Sequence, residues 1–92
     1  MLIDRGRTAH GKYAEAENAY NDQAITDYNE AIRIDPNYAF PYYNRGIVWE
    51  KKNNLEQALS DFKTFSELNP SDPDGPKAIA RVTAAIGGSA SK

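Results

Sequence analysis

The chain has no cysteine, which excludes disulfides and thiolate chemistry and leaves the redox compartment open. It has one histidine, His10, beside Gly11. A lone histidine in such a place is far more often a surface residue than a general base or a metal ligand. The carboxylates are spread along the chain with no pair marked for acid–base work, and no cluster has the spacing of metal ligands. No glycine-rich loop opens a helix to cradle a phosphate, because Gly87-Gly88 stands where a helix is expected to end. No apolar run approaches the roughly 20 residues of a membrane span. The opening Met1-Leu2-Ile3-Asp4 lacks the charged start and long apolar core of a signal peptide. Eleven Lys and Arg against 13 Asp and Glu give a net charge of −2 and a pI near 5.3, with no visible basic cluster. Nucleic acid is therefore not an expected partner. Together these absences point away from an enzyme, a cofactor, a metal or membrane insertion, and they make the cytoplasm the favoured compartment.

What is present is enough for one small domain. Of the 92 residues, 40% are hydrophobic and 26% charged, which suits a packed core under a solvated surface. The central stretch runs from Asp22 to Pro36, and it returns 34 residues later from Glu56 to Pro70. Gln23/Gln57, Ala24/Ala58, Asp27/Asp61 and Pro36/Pro70 are identical. Asp22/Glu56, Ile25/Leu59, Thr26/Ser60, Tyr28/Phe62, Ile34/Leu68 and Asp35/Asn69 keep their character. A fixed offset of this kind marks a repeat protein.

Each copy reads as an amphipathic helix. Leu55, Ala58, Leu59, Phe62, Phe65 and Leu68 fall three and four apart, on one stripe of a 3.6-residue helix. Ala24, Ile25, Tyr28, Ala31 and Ile32 do the same in the first copy. Asn54 is a candidate N-cap, with Gln57 placed to complete a capping box. Asp35-Pro36 and Asn69-Pro70 are the stops, since proline lacks the N–H and restrains the residue before it. Between the copies, Asn37–Asn53 reads as a second kind of helix with Tyr42, Gly46 and Trp49 on one face. A mid-helix glycine costs about 1 kcal/mol against alanine, so Gly46 implies close helix–helix contact. Asn53-Asn54 is the expected turn.

These residues resemble the tetratricopeptide repeat (TPR) family. The resemblance rests on Tyr42, Gly46 and Trp49 in the first helix of the unit and on Leu55, Ala58, Phe62 and Pro70 in the second. Tyr-Tyr-Asn-Arg-Gly at 42–46 is typical of the family. Ala24, Tyr28 and Pro36 are the matching positions of the first copy. Two residues depart from the pattern: Arg45 stands at a usual leucine, and Phe65 at a usual small residue, which implies some displacement of that helix. The second repeat matches from Ala39 to Pro70, the first only in its second helix. The resemblance implies an all-α fold of antiparallel helix-turn-helix units stacked as a short right-handed α-solenoid. Repeat 1 would span about 3–36 and repeat 2 about 37–70, with a capping helix at about 73–86, all in one domain over 1–86.

The first 20 residues fit the offset poorly. Gly46 maps to Lys12, next to Gly11; Tyr42 maps to Thr8 and Trp49 to Glu15. Either a residue is inserted before Asp22 or the helix has drifted. A different alignment places Arg5-Gly6 on Arg45-Gly46, with six residues inserted between the helices. The expectation is a helix at about 3–18 and a turn near 18–21, capped by Asn21 or Asp22. The alternative is one continuous helix from Gly11 to Ile34, because Lys12–Asn21 holds strong helix formers and no Pro or Gly. In that case a second chain supplies the missing contact. At the other end, Asp72 can cap, Pro73 fits the first helical position and Asp74 suits the positive end of the dipole. Ile79, Val82 and Ile86 share a face, Lys77 and Arg81 another. Gly87-Gly88 should end this helix, leaving 87–92 as a flexible tail.

The TPR resemblance also implies a function. Such domains present the first helix of each unit on a concave face that takes an extended peptide or a partner's helix. Carried onto this chain, the lining is Phe40, Tyr43, Asn44, Ile47 and Lys51, to which Lys77 or Arg81 could add, while Tyr42 and Trp49 face neighbouring helices. The competing reading of Phe40 and Tyr43 is packing on the first helix or on the capping helix. A carboxylate clamp found in some members is not expected. Asn44 matches its middle position, but Thr8 or Ala9, Lys12 or Tyr13, Asp74 and Ala78 do not match the others. The expected role is a protein–protein interaction module; the alternative is a self-associating scaffold, a homodimer formed by exchange of the first helices. Two repeats are fewer than the three usually needed for stability, so the chain is expected either to be a piece of a longer protein or to self-associate.

Overall fold

The computed structural model describes the backbone of residues 2–90 and the side chains of residues 18–88. Four helices follow one another: α1 (Leu2–Ile34), α2 (Phe40–Lys51), α3 (Leu55–Leu68) and α4 (Asp74–Ala90). Each packs on the next, α1 on α2, α2 on α3 and α3 on α4. The result is an all-α helical repeat.

Two expectations need correction. The turn near 18–21 does not form: α1 is one helix of 33 residues, longer than even the continuous alternative from Gly11. The helix formers of Lys12–Asn21 carry it through, and no proline interrupts it before Pro36. Nor do Gly87 and Gly88 end α4, which continues to Ala90. No glycine in the described chain takes a positive φ, and without that left-handed step a glycine pair does not close a helix. Within the expected tail, Lys92 and Ser91 lie outside the described residues.

The turns explain the rest of the path. After Asp35, whose N–H still bonds Ala31 O, the N–H of Tyr38 bonds back to Asp35 O at 3.1 Å and Asn37 N–H reaches Asp35 Oδ1 at 3.3 Å. Asn53 takes the left-handed backbone (φ 62°) that asparagine tolerates. Its N–H bonds Glu50 O at 3.0 Å and that of Asn54 bonds Trp49 O at 2.8 Å, the paired bonds of a Schellman motif. The capping box expected at Asn54 is therefore absent. Its side chain makes no cap bond, and its N–H already serves the end of α2. Asp72 does cap, with Oδ1 accepting from Asp74 N–H at 2.9 Å.

The core lies where α2, α3 and α4 meet. Ala58, Phe62, Ala78 and Val82 are buried there, with Tyr43, Ile47, Trp49, Leu55, Leu59, Ile79 and Ile86 packed around them. Gly46 has the close contact its sequence position implies: a Cβ on it would lie 2.7 Å from Phe62 Cε1. Phe65, large where the resemblance expects a small residue, is fully buried. Gly75 makes room for it. A Cβ there would fall 3.3 Å from the Phe65 ring and collide with Ser66 Oγ.

Candidate functional site: one face of helix α2

Helix α2 divides its residues between two tasks. Pro41, Gly46 and Val48 are buried, while Phe40, Asn44 and Lys51 are exposed. Proline in the first turn costs no hydrogen bond there, and the close seat of Gly46 on Phe62 fixes the helix against α3.

The five residues assigned to the concave face do not behave alike. Phe40 is 44% exposed, its ring edge-on to Tyr38 (6.0 Å) and tilted against Phe65 (5.8 Å). Tyr43 is half-buried, with its ring 5.5 Å from Phe62 and 5.0 Å from Phe65. Ile47 is also half-buried against the core. Asn44 and Lys51 are exposed, and the Asn44 amide makes no hydrogen bond among the described residues. The face thus has an outer set (Phe40, Asn44, Lys51) and an inner set (Tyr43, Ile47) that also belongs to the core. The rings of Phe40 and Tyr43 meet those of Phe62 and Phe65 in α3, and Tyr43 also packs on the core cluster that Ala78 and Val82 of α4 share.

Helix α4 borders this face. Arg81 donates twice to Glu50 of α2, Nε to Oε2 at 2.7 Å and Nη2 to Oε1 at 2.8 Å, and its guanidinium lies 5.8 Å from the centre of the Phe62 ring. The Glu50 hydrogen bonds hold Arg81 above its ordinary pKa. Arg81 is therefore a strut between α2 and α4; both it and Lys77 are exposed. Of the clamp positions, Asp74 is exposed and Ala78 is fully buried; the side chains of Thr8, Ala9, Lys12 and Tyr13, like that of His10, lie outside the described set. Among the described residues, no group of His, Cys, Asp or Glu could hold a metal ion, and no helix is long and apolar enough to cross a membrane.

Tyr42 and Trp49 sit apart from the exposed face. The Tyr42 hydroxyl donates to Pro36 O at 2.9 Å, and Trp49 packs on the core. Beside them is a network that the sequence pattern leaves unassigned. Arg45 donates to both oxygens of Asp61 (2.8 and 2.7 Å) and, through Nη1, to Asn29 Oδ1 of α1 at 2.8 Å. One side chain thereby joins three helices. The signal was present: Asp61 is identical to Asp27 across the repeat, and Arg45 is a departure in need of a partner. With Trp49, Gln57 and Ser60, the pair lines a concavity of about 260 Å³.

Residues 21–53 match the TPR repeat family. Over these residues the chain is similar to a tetratricopeptide repeat. The matched TPR segment takes in the second half of α1, all of α2 and the turn at Asn53. A protein of Dictyostelium discoideum described as DnaJ homolog subfamily C member 7 homolog is 38% identical over 48 residues, which are 52% of this chain and 9% of that protein. The chain thus corresponds to a small part of the length of this relative. TPR repeats generally mediate protein–protein interaction, and stacked helix pairs of this kind create extended concave binding surfaces.

Proposed function

We propose that this chain is a non-enzymatic interaction module whose α2 face, bordered by α4, takes an extended peptide or a helix of a partner protein. One observation carries the reading. Phe40, Asn44 and Lys51 stay exposed on α2 although the other side of that helix is locked by Gly46 against Phe62. A ring, an amide and a cation presented on a rigid helix suit peptide recognition. The ring supplies apolar area, the amide can bond a peptide backbone, and little order is lost on docking. Lys51 and Lys77 favour a peptide with acidic residues, and nothing in the charge balance favours nucleic acid.

The test is selection of peptides from a random display library on the immobilised chain, followed by affinity measurements on variants. Selected peptides should bind Asn44→Ala at least about tenfold more weakly, as expected when a buried amide contact is lost. They should bind Lys63→Ala, altered on exposed α3, with unchanged affinity. Equal affinity for wild type and Asn44→Ala would remove this site.

A second reading, self-association, is favoured by the continuity of α1. Its first half lies along the helix axis beyond residues 21–34 and so leaves a face of those residues without the neighbour a repeat requires.

A further inference from the structure

The two copies of the repeated helix are covered unequally. In α3, Ala58 and Phe62 are fully buried and Asp61 is 5% exposed. At the same register in α1, Ala24 and Tyr28 are only half-buried and Asp27 is exposed. Helix α3 has substantial packing with α2 on one side and α4 on the other, whereas among the described residues the substantial packing of α1 is with α2. What α1 lacks is a helix running antiparallel to it on the far side, as the start of its repeat would supply.

The chain carries a segment suited to that place but holds it out of reach. Arg5-Gly6 repeats the Arg45-Gly46 dipeptide, whose arginine meets Asp61 and whose glycine seats Phe62. At 1.5 Å per residue, about 33 Å of helix separates position 6 from position 28. The same uninterrupted helix cannot fold back on itself. Charge points the same way. Positions 5–12 hold Arg5, Arg7 and Lys12 with no acid, and positions 22–30 hold Asp22, Asp27 and Glu30 with no base. Lys52 meets Asp22 and Arg33 meets Glu30, whereas among the described residues Asp27 accepts from Gln23 of its own helix and pairs with no cation.

We propose that a second copy of this chain completes the repeat, the two α1 helices lying antiparallel about a two-fold axis near residue 16. This register brings position 5 of each copy beside Asp27 of the other and position 6 beside Tyr28, the same staggered pairing that Arg45 with Asp61 and Gly46 with Phe62 make between α2 and α3. It lays each basic segment across the other copy's acidic one. A two-fold axis satisfies both ends at once, so the contact closes as a dimer and does not propagate. The inference rests on the self-association reading and adds to it the register and the residues.

Charge exchange tests it. In Arg5→Asp, like charges meet at both ends of the dimer, and the same holds for Asp27→Arg. Each variant alone should dimerise about tenfold more weakly than wild type. An equimolar mixture should regain wild-type affinity, because a heterodimer pairs Asp with Arg at both ends. Light scattering across a concentration series gives the mass, starting from 10.2 kDa for one chain, and circular dichroism verifies that each variant keeps its helix content. Recovery on mixing supports the register. A wild-type dimer with no recovery on mixing overturns the register and leaves self-association standing. A wild-type chain that stays monomeric at every concentration overturns both.

Discussion

Arg45 and Asp61 form a two-point ion pair between α2 and α3, and they do so at a position where the repeat pattern calls for leucine. Arg45 Nε and Nη2 reach Asp61 Oδ2 and Oδ1 at 2.8 and 2.7 Å, with the Asp61 side chain 7% exposed. The hydrogen bonds to Asp61 hold the Arg45 guanidinium above its ordinary pKa. Its third nitrogen, bonded to Asn29, ties in α1.

Restoring the usual residue should therefore harm this chain. Arg45→Leu leaves Asp61 buried and unpaired, a change expected to cost about 3 kcal/mol. Denaturant unfolding of the variant measures it. Arg45→Leu combined with Asp61→Leu should recover much of the loss, because the stranded charge is gone.

Ser66 and Gly75 make a second coupled pair. Ser66 Oγ is buried with no hydrogen-bond partner among the described residues, and it occupies the space a Cβ at position 75 would need. Ser66→Ala should be neutral or stabilising by up to about 1 kcal/mol. Gly75→Ala should cost about 1–3 kcal/mol by overpacking. Part of that cost should vanish in the Ser66→Ala background, so a double-mutant cycle by thermal unfolding should give a non-zero interaction energy.

The repeat itself offers an internal control. Ala58→Leu should overpack the fully buried contact beside Phe62 and cost about 1–3 kcal/mol. Ala24→Leu, the same change at half-buried Ala24, should cost less than about 1 kcal/mol when the chain is dilute. Melting curves of the two variants compare them directly, and equal losses would mean that the two faces are covered alike.

Tyr43 cannot serve as a pure binding probe. With rings at 5.0 and 5.5 Å, it belongs to the core as well as to the α2 face. Tyr43→Ala should lower the melting temperature, with a loss of about 2–3 kcal/mol. Asn44→Ala should leave it unchanged, because that side chain is exposed.

One pH effect has a definite sign. The hydrogen bonds from Arg33 hold the exposed Glu30 carboxyl below the usual range. A depressed folded-state pKa contributes stability above the unfolded value, and that contribution is lost as pH falls through the folded one. At so exposed a site the effect on stability is small, so the readout is the titration itself. Carbon NMR should place the Glu30 midpoint lower in wild type than in Arg33→Ala.

The sequence made the repeat legible because its warrant was redundant. Ten positions recur at a fixed offset, Gly46 needs a close neighbour, and Pro36 and Pro70 stop their helices. Asp72 was readable as a cap for a different reason: one local side chain decides it. The ends were harder to read. Gly87-Gly88 stops a helix only if the backbone turns left-handed, and composition does not record that choice. Asn54 has the right side chain for a cap, but its position is already used in ending α2. The length of α1 depends on whether a turn near 18–21 beats further helix, a contest between local propensity and a tertiary contact. On the α2 face, the TPR resemblance implied five residues, and only packing in the folded chain separates Tyr43 and Ile47 from Phe40, Asn44 and Lys51. The Arg45–Asp61 pair was visible as two unexplained residues but not as one bond.

The account stands most directly on where a partner lands. Amide chemical shifts of the labelled chain, recorded while a selected peptide is added, give that location residue by residue. The account predicts that the changes cluster at Phe40, Asn44, Ile47 and Lys51 and extend to Lys77, with exposed Glu56 and Lys63 of α3 unmoved. Changes confined to α3 or α1, with α2 silent, would contradict it.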